Sequence, residues 1–385
     1  MSRPLLVLSD VHLSPSGRDR VAHDLAELVR KFPGYELVLA GDVFDFSTEP
    51  RERDLAASVA QMLRAHHELG PALRDHLRAG AGITLIAGNH DAAAATPEAR
   101  RAVLASLELS DQARLDVSPW FVRRGRVHLE HGHRYDPDNA PAHPLVPWSA
   151  ETEPLGIALT RRFLAPAGAL MFAHAHETTP ADGLLRAFRQ FGAKAPWVVV
   201  RYFATAIALC AEAGRQRGLT EELEQGARAL AAFAHDCGLG VDILADMVDA
   251  GPRPTHLDFK ATFMRLYFDR VIATIGFVGG ASIALATRSL LATGVAALSG
   301  AYLTNSVKQG GSRYSGLTEQ RLREAASLVL GATGAELVVF GHTHEEDEAP
   351  GYVNCGSFAY PKRGGRPYVL VDTRGRAERR RFDGA

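Results

Sequence analysis

The chain has 385 residues, a formal net charge of -1 and a hydrophobic share of 46%. Single hydrophobic cores stop growing at about 250–300 residues, so the length predicts a core domain with a second unit. The near-neutral charge lacks the basic field typical of nucleic-acid binders, and we expect no nucleic-acid partner. No C-x-x-C spacing occurs among Cys210, Cys237 and Cys355. This disfavours a disulfide framework or a thiolate zinc site and indicates a reduced, cytoplasmic setting.

Short apolar runs alternate with helix-like stretches over the first 135 residues, a pattern typical of an α/β sheet. Strands are predicted at 5–8, 37–40, 83–87 and 127–129, and helices at 18–31, 52–79 (interrupted) and 97–108. The pattern returns late in the chain, with a helix at 318–332, strands at 337–340, 351–355 and 368–371, and a basic tail predicted to be a solvated end. The sheet therefore uses both ends of the chain.

Between these parts lies a long Ala-rich helical segment, bordered by a Pro-rich stretch at 136–148 and a Gly/Ser-rich stretch at 309–316. We predict that 1–139 and 317–385 form one catalytic domain and that 140–316 is a helical insertion, either a lid or a membrane-associating unit. Residues 271–307 carry a single charge, Arg288. Three interpretations remain for them: a buried helical pair in a soluble lid, an element resting on lipid, or a hairpin through a bilayer.

Carboxylate, amide and imidazole side chains follow five predicted strands. They are Asp10 and His12; Asp42 and Asp45; Asn89, His90 and Asp91; His131 and His133; and His342 and His344. Each group alone is typical of a turn or a helix cap. Burying all of them at one sheet edge would cost several kcal/mol per unpaired ion, and coordinated cations remove that cost. Ligands of this kind without a thiolate favour Mn, Fe or Zn.

In this order the five groups form D-x-H, G-D-x-x-D, G-N-H-D, H-G-H and G-H-x-H blocks, which resemble those of the calcineurin-like metallophosphoesterases. The resemblance covers about 1–135 and 318–372. It implies an α/β fold, a β-sandwich flanked by helices in α-β-β-α layers, to which the all-helical insertion is added. It also implies hydrolysis of phosphoester or pyrophosphate bonds by a hydroxide shared between two divalent cations. Mn²⁺ is the expected ion, with Fe or Zn as alternatives.

The resemblance further implies a role for each residue. Asp10, His12 and His344 would hold one ion, Asn89, His131 and His342 the other, and Asp42 would bridge both; His133 is the alternative to His131. His90 would be the general acid, oriented by Asp45, for which a turn cap is the alternative. Substrate contacts are predicted at Arg134, Asn354, Lys362 and Arg363, with exposure to water as the alternative for the basic side chains.

The substrate is predicted from the insertion and from the segments SDVHLS and GDVFDF, which resemble the UDP-2,3-diacylglucosamine hydrolase branch of the family. This favours a lipid-linked nucleoside diphosphate sugar as the substrate. It also favours a location peripheral to the inner face of the membrane, with residues 271–307 contacting the membrane surface. The best-known members of this branch have Arg at the position of His90, so this chain departs from their pattern there. The alternatives are a phosphodiesterase or phosphatase acting on soluble nucleotides, with the insertion as an oligomer interface, and a catalytically idle membrane or scaffold protein.

Overall fold

The computed structural model describes residues 3–15, 20–49, 54–169, 180–215, 218–308 and 316–384. Its internal contacts divide the chain into two compact units. Unit 1 comprises Met1–Ile157, Gln216–Pro254 and Thr318–Ala385, and unit 2 comprises Ala158–Arg215 and Thr255–Leu317. Most of the predicted Gly/Ser-rich border, residues 309–315, lies outside the described residues.

Unit 1 contains two sheets. The first has the order β11-β10-β1-β2-β3-β4, and the second has the order β5-β6-β7-β9-β8. The strands are β1 (Leu5–Leu8), β2 (Glu36–Ala40), β3 (Ile83–Ile86), β4 (Leu115–Ser118), β5 (Phe121–Arg124), β6 (Val127–Glu130), β7 (Leu337–Phe340), β8 (Glu346–Ala349), β9 (Tyr352–Cys355), β10 (Arg366–Val371) and β11 (Ala377–Phe382). Strands β1 to β4 run parallel, as do β6, β7 and β9.

The helices of unit 1 are α1 (Val21–Lys31), α2 (Leu55–Ala65), α3 (Leu69–Arg78), α4 (Pro97–Ser106), α8 (Leu219–Cys237), α9 (Val241–Asp249) and α13 (Leu317–Thr333). Local sequence explains some of their ends. Thr96 caps α4 by accepting a hydrogen bond from the Ala99 N–H at 3.2 Å, and Pro97 occupies the first turn, where its missing N–H costs nothing.

The two sheets pack face to face with helices outside, because their central strands bury both faces. In β1, Leu6 and Leu8 pack against the α1 to α4 layer, whereas Leu5 and Val7 meet Val127 and other residues of the second sheet. Strands buried on both sides read as unbroken apolar runs, and this is how the sequence shows them. The outer face of the second sheet is covered by α8, α9 and α13. The layers are therefore α-β-β-α, as expected.

Unit 2 is helical in the described residues. Helix α5 (Leu155–Leu159) leads into it, and it contains α6 (Pro180–Phe191), α7 (Ala195–Glu212), α10 (Phe259–Arg265), α11 (Phe268–Thr287) and α12 (Leu290–Lys308). The insertion predicted as one block, 140–316, is thus divided, since 216–254 belongs to unit 1 through α8 and α9. Sequence composition does not show this difference, because α8 in unit 1 is about as rich in Ala as α7 in unit 2.

The predicted strands all occur, with ends displaced by two residues at most, and the four unpredicted strands are β4, β5, β8 and β11. The basic tail, predicted as a solvated end, instead forms β11. It pairs with β10 over six residues, while Arg379 and Arg380 remain exposed at the sheet edge. Charged side chains are typical of edge strands, and backbone pairing leaves no mark in their composition.

Candidate metal centre

The five blocks meet at one edge of the sandwich because the strands before them run parallel. Asp10, Asp42 and Asn89 follow β1, β2 and β3, and His131 and His342 follow β6 and β7 in the second sheet. Carboxyl ends of parallel strands share an edge, which is where open α/β sheets place their ligands. The structure therefore brings together all seven residues predicted as metal ligands.

The first cluster consists of Asp10, His12 and His344. Asp10 is fully buried, and its Oδ1 lies 3.0 Å from Nε2 of His344 and 3.8 Å from Nε2 of His12. The two Nε2 atoms are 3.3 Å apart. Two imidazole nitrogens bound to one ion at about 2.0–2.1 Å lie at about this separation, so both rings point to a common position.

The second cluster surrounds Asp42. Its Oδ2 lies 3.2 Å from Nε2 of His131, and the same Nε2 lies 3.2 Å from Oδ1 of Asn89. His131 Nδ1 is 2.9 Å from the Ala40 carbonyl oxygen, to which it donates. That bond fixes the ring and leaves Nε2 directed at the carboxylate, an arrangement typical of ligand histidines. Burial lowers the pKa of His131, but Asp42 outweighs it and raises the pKa to about 10.

His342 belongs to the same side of the site through a second carboxylate. Its Nε2 lies 3.0 Å from Oδ2 of Asp136. Asn139 donates to that carboxylate at 2.7 Å, and Asn89 donates to Oδ1 of Asn139 at 3.2 Å. His133, the alternative ligand, is buried, and its ring centroid lies 5.4 Å from that of His131. A buried chain of polar side chains thus links two predicted ligands.

The backbone is strained where the ligands stand. Eight non-glycine residues in the described parts of the chain have positive φ, and five of them are predicted ligands: Asp10, His12, Asp42, His342 and His344, with φ from 50° to 71°. Each such residue costs about 1–3 kcal/mol, and such strain concentrates at functional sites. The fold therefore holds these side chains in a geometry that the chain would not adopt by itself.

Two glycines let the blocks approach each other. Gly41 has φ +91°, and a Cβ there would collide with the His131 ring. A Cβ on Gly341 would collide with the Ser9 side chain. The glycine of the G-D-x-x-D and G-H-x-H blocks is therefore required by close packing, and at Gly41 also by the backbone angle.

The residues present fit divalent cations. Asp10 Oδ1 is buried, and its neighbour at 3.0 Å is Nε2 of His344, a second possible ligand atom. Three groups have ligand atoms that all lie within 4.8 Å of one another: Asp10, His12 and His344; His12, Asp42 and His90; and Asp10, Asp42 and His131. An oxygen and imidazole set of this kind is typical of sites for Mn, Fe or Zn.

His90 lies beside the two clusters and is held by its neighbours. Its Nδ1 is 3.0 Å from Oδ1 of Asp45 and 2.9 Å from Oγ of Ser47, and its ring meets that of His12 edge to face at 4.8 Å. Burial lowers the pKa of His90, but the Asp42 and Asp45 carboxylates outweigh it and raise the pKa to about 9. These carboxylates favour the charged form of the imidazole, and Nδ1 is the ring nitrogen that faces Asp45 and Ser47.

Asp91, the last residue of its block, organises the loops. Its carboxylate accepts hydrogen bonds from the backbone N–H groups of Asp42, Val43, Phe44 and Gly88, at 2.7 to 3.2 Å. It joins the loop after β2 to the loop after β3. The G-N-H-D pattern alone indicated no separate role for Asp91.

The four predicted substrate contacts lie in different surroundings. Arg134 is 5% exposed and donates to the backbone carbonyls of Met247 and Val248 in α9 at 2.8 and 3.0 Å. Asn354 is fully buried and donates to the Gly341 carbonyl at 2.8 Å, so it supports the loop of His342. The exposed Lys362 pairs with Glu345, and Arg363 is exposed. Substrate contact by these residues stays a prediction.

Sequence reasoning missed Ser47 and Asn139, which support His90 and Asp136, and it also missed Asp136 and Tyr360. Asp136 stands in a Pro-rich stretch that reads as a linker, and no spacing rule ties it to His342, 206 positions away. Tyr360 is 48% exposed and stacks on the His344 ring at 5.7 Å between centroids. Its only sequence signal was its place six residues after Asn354, a predicted substrate contact.

Comparison with known proteins agrees with this geometry. The family model of the calcineurin-like phosphoesterases matches residues 3–199, about half of the chain. No curated protein sequence matches the chain. Members of the family bind two divalent metals, and the described residues include candidate metal-ligand clusters. The chain belongs to the calcineurin-like phosphoesterase family and is a hydrolase that acts on phosphoester bonds.

Proposed function

We propose that the chain holds two divalent ions, with Mn²⁺ as the favoured metal. Asp10, His12 and His344 would hold one, Asn89, His131 and His342 the other, and Asp42 would lie between them. The observation that carries this is the convergence of the His12 and His344 Nε2 atoms, 3.3 Å apart, beside the buried Asp10 carboxylate. When bound, two such ions supply Lewis acidity and a water of lowered pKa.

In this proposal His90 is the general acid. Water attacks phosphorus and gives up a proton to solvent, the bond from phosphorus to the leaving oxygen breaks, and the Nε2 proton of His90 passes to that oxygen. Asp45 and Ser47 hold the opposite ring nitrogen, so the ring is oriented before the substrate arrives. The 2.8 Å hydrogen bond from the His90 N–H to Asp42 Oδ1 fixes the backbone at the same point. His90 then regains its proton from solvent.

The proposed substrate is a lipid-linked nucleoside diphosphate sugar, cleaved at its pyrophosphate by an enzyme that acts at the inner face of the membrane. The apolar helices of unit 2 support this, since several of their large side chains are exposed. Tyr360 also presents an aromatic face beside His344, and such faces bind planar rings. The aromatic face of Tyr360 equally supports the second candidate, a phosphodiesterase or phosphatase that acts on soluble nucleotides.

The test compares three substrates on one preparation loaded with Mn²⁺: bis-p-nitrophenyl phosphate, a UDP-linked diacylated sugar and UDP-glucose. We expect turnover of the generic ester, and a higher kcat/KM for the acylated sugar than for UDP-glucose. Equal kcat/KM for the two sugars would refute the lipid-linked substrate and leave the soluble one. No turnover of any ester after metal loading would contradict the proposed centre itself.

A further inference from the structure

Helices α11 and α12 form an antiparallel hairpin in unit 2, joined at Arg288 and Ser289. At 1.5 Å per residue, the 20 residues of α11 and the 19 of α12 are about 30 Å and about 28 Å long. A bilayer has a hydrocarbon core of about 30 Å. Each helix is therefore long enough to cross one.

The hairpin exposes apolar side chains on all of its outer sides. On α11 the exposed fractions are 67% for Ile275, 44% for Phe277, 55% for Ile283 and 86% for Leu285. At 100° per residue these four point in directions about 80–120° apart around the axis. An 18-residue stretch of α11 has a mean hydropathy of 1.5, and 11% of that stretch is buried. No polar face remains on this helix.

On α12 the exposed side faces away from α11. Leu290, Leu291 and Leu298 are 88%, 80% and 76% exposed. The contact itself is made by small residues: a Cβ on Gly280 would lie 2.9 Å from the Ala292 carbonyl oxygen and 2.9 Å from the Ala296 nitrogen. Close backbone approach of this kind is typical of helices that associate within lipid, where the hydrophobic effect gives no drive.

Charge is confined to the two ends of the hairpin. Residues 271–287 and 289–307 carry none. At the base, Arg270 donates to Oγ of Ser306 at 2.8 Å, Asp269 pairs with Tyr302, and Lys308 ends α12. At the opposite end stands Arg288, with the polar Ser289 beside it. The cations would meet the lipid phosphates of both interfaces, and tyrosine is common at such interfaces.

We propose that α11 and α12 span a lipid bilayer as a hairpin, with Arg288 at the far headgroups. A helix lying flat on the membrane needs a polar face, which α11 does not have. Half-depth insertion would leave Arg288 in hydrocarbon, where a charge is strongly unfavourable. A second copy of the chain would cover one side of the hairpin and leave the others exposed. This inference does not depend on the phosphoesterase reaction.

The first test measures flotation of the full-length protein with vesicles of phosphatidylethanolamine and phosphatidylglycerol, followed by alkaline carbonate extraction. The wild type should float and resist extraction. The double variant Ile275→Asp, Leu298→Asp should lose most of the floating fraction, because both positions are exposed and would place charge in the lipid. The matched control Leu223→Asp, Val241→Asp changes two exposed positions of unit 1 and should float like the wild type. Circular dichroism checks that all variants fold.

The second test locates the end of the hairpin. In a variant with Cys210, Cys237 and Cys355 replaced by Ala, Ser289→Cys should resist a membrane-impermeant maleimide in intact vesicles and react after detergent is added. Arg374→Cys, at an exposed turn of unit 1, should react in both conditions. Labelling of Ser289→Cys in intact vesicles overturns the spanning hairpin. The proposal is also overturned if the wild-type protein stays in solution. This includes the case in which the wild type sediments as a dimer and the double variant sediments as a monomer.

Discussion

Replacing His90 with Asn tests the proposed acid without removing its support. The Asn amide can still donate to Asp45, which now lies 3.0 Å from Nδ1 of the ring, while the Nε2 end is deleted. A positioned general acid is worth about 10²- to 10⁴-fold in rate. The expected loss in kcat/KM therefore corresponds to about 2.7–5.4 kcal/mol of activation free energy. Metal content should not change, because His90 is not among the proposed ligands.

The assay uses two leaving groups. A p-nitrophenolate leaves without much help from a proton, whereas an alkoxide needs one, so the loss should be small with bis-p-nitrophenyl phosphate and large with an alkyl phosphodiester. His23→Asn, at a partly exposed histidine paired with Glu68 in unit 1, is the matched control and should show no loss. Equal losses with both leaving groups, or a loss of bound metal, would refute the role of His90 as the acid.

Four further predictions concern the same site and the stability of unit 1. Asp42→Asn should abolish turnover and reduce bound metal, measured by elemental analysis; full metal content would exclude it as the bridge. Gly41→Ala should lower the unfolding free energy by about 1–3 kcal/mol through backbone strain alone, and further through the collision of the new Cβ with the His131 ring. Denaturant unfolding measures this loss. Asp136→Asn should weaken Mn²⁺ binding about 10- to 100-fold in calorimetry by releasing His342; unchanged affinity would show that the contact is incidental. Burial lowers the pKa of His143 from 6.5 to about 4, so the unfolded chain binds more protons in this window and stability falls as pH drops through it. In His143→Gln that fall should be smaller.

The strands and the convergence of the candidate ligands could be predicted because their signals are local. Each apolar run ends in a polar block, and parallel pairing alone then brings the blocks to one edge. Asp10, Asp42 and His344 could be proposed as ligands without any information on the packing of distant segments. Gly41 could be recognised as part of the G-D-x-x-D block. The close approach of the His131 ring, which requires a glycine there, could not be predicted from the sequence.

What could not be predicted depends on contacts between distant segments. Arg134 follows the histidine block closely enough to suggest a substrate contact, but its guanidinium donates to α9, more than a hundred residues away. Asp136 lies in a stretch with linker composition and still reaches His342. The exposure of α11 and α12 also could not be predicted from the sequence, because the same apolar residues are compatible with burial in a lid.

Binding stoichiometry tests the central claim most directly. Metal-free protein is titrated with Mn²⁺ by calorimetry, and hydrolysis of bis-p-nitrophenyl phosphate is followed in the same samples. We predict two ions bound per chain, with turnover appearing as the sites fill. Hydrolysis at the full rate in metal-free protein, or the absence of any bound ion, would contradict the account.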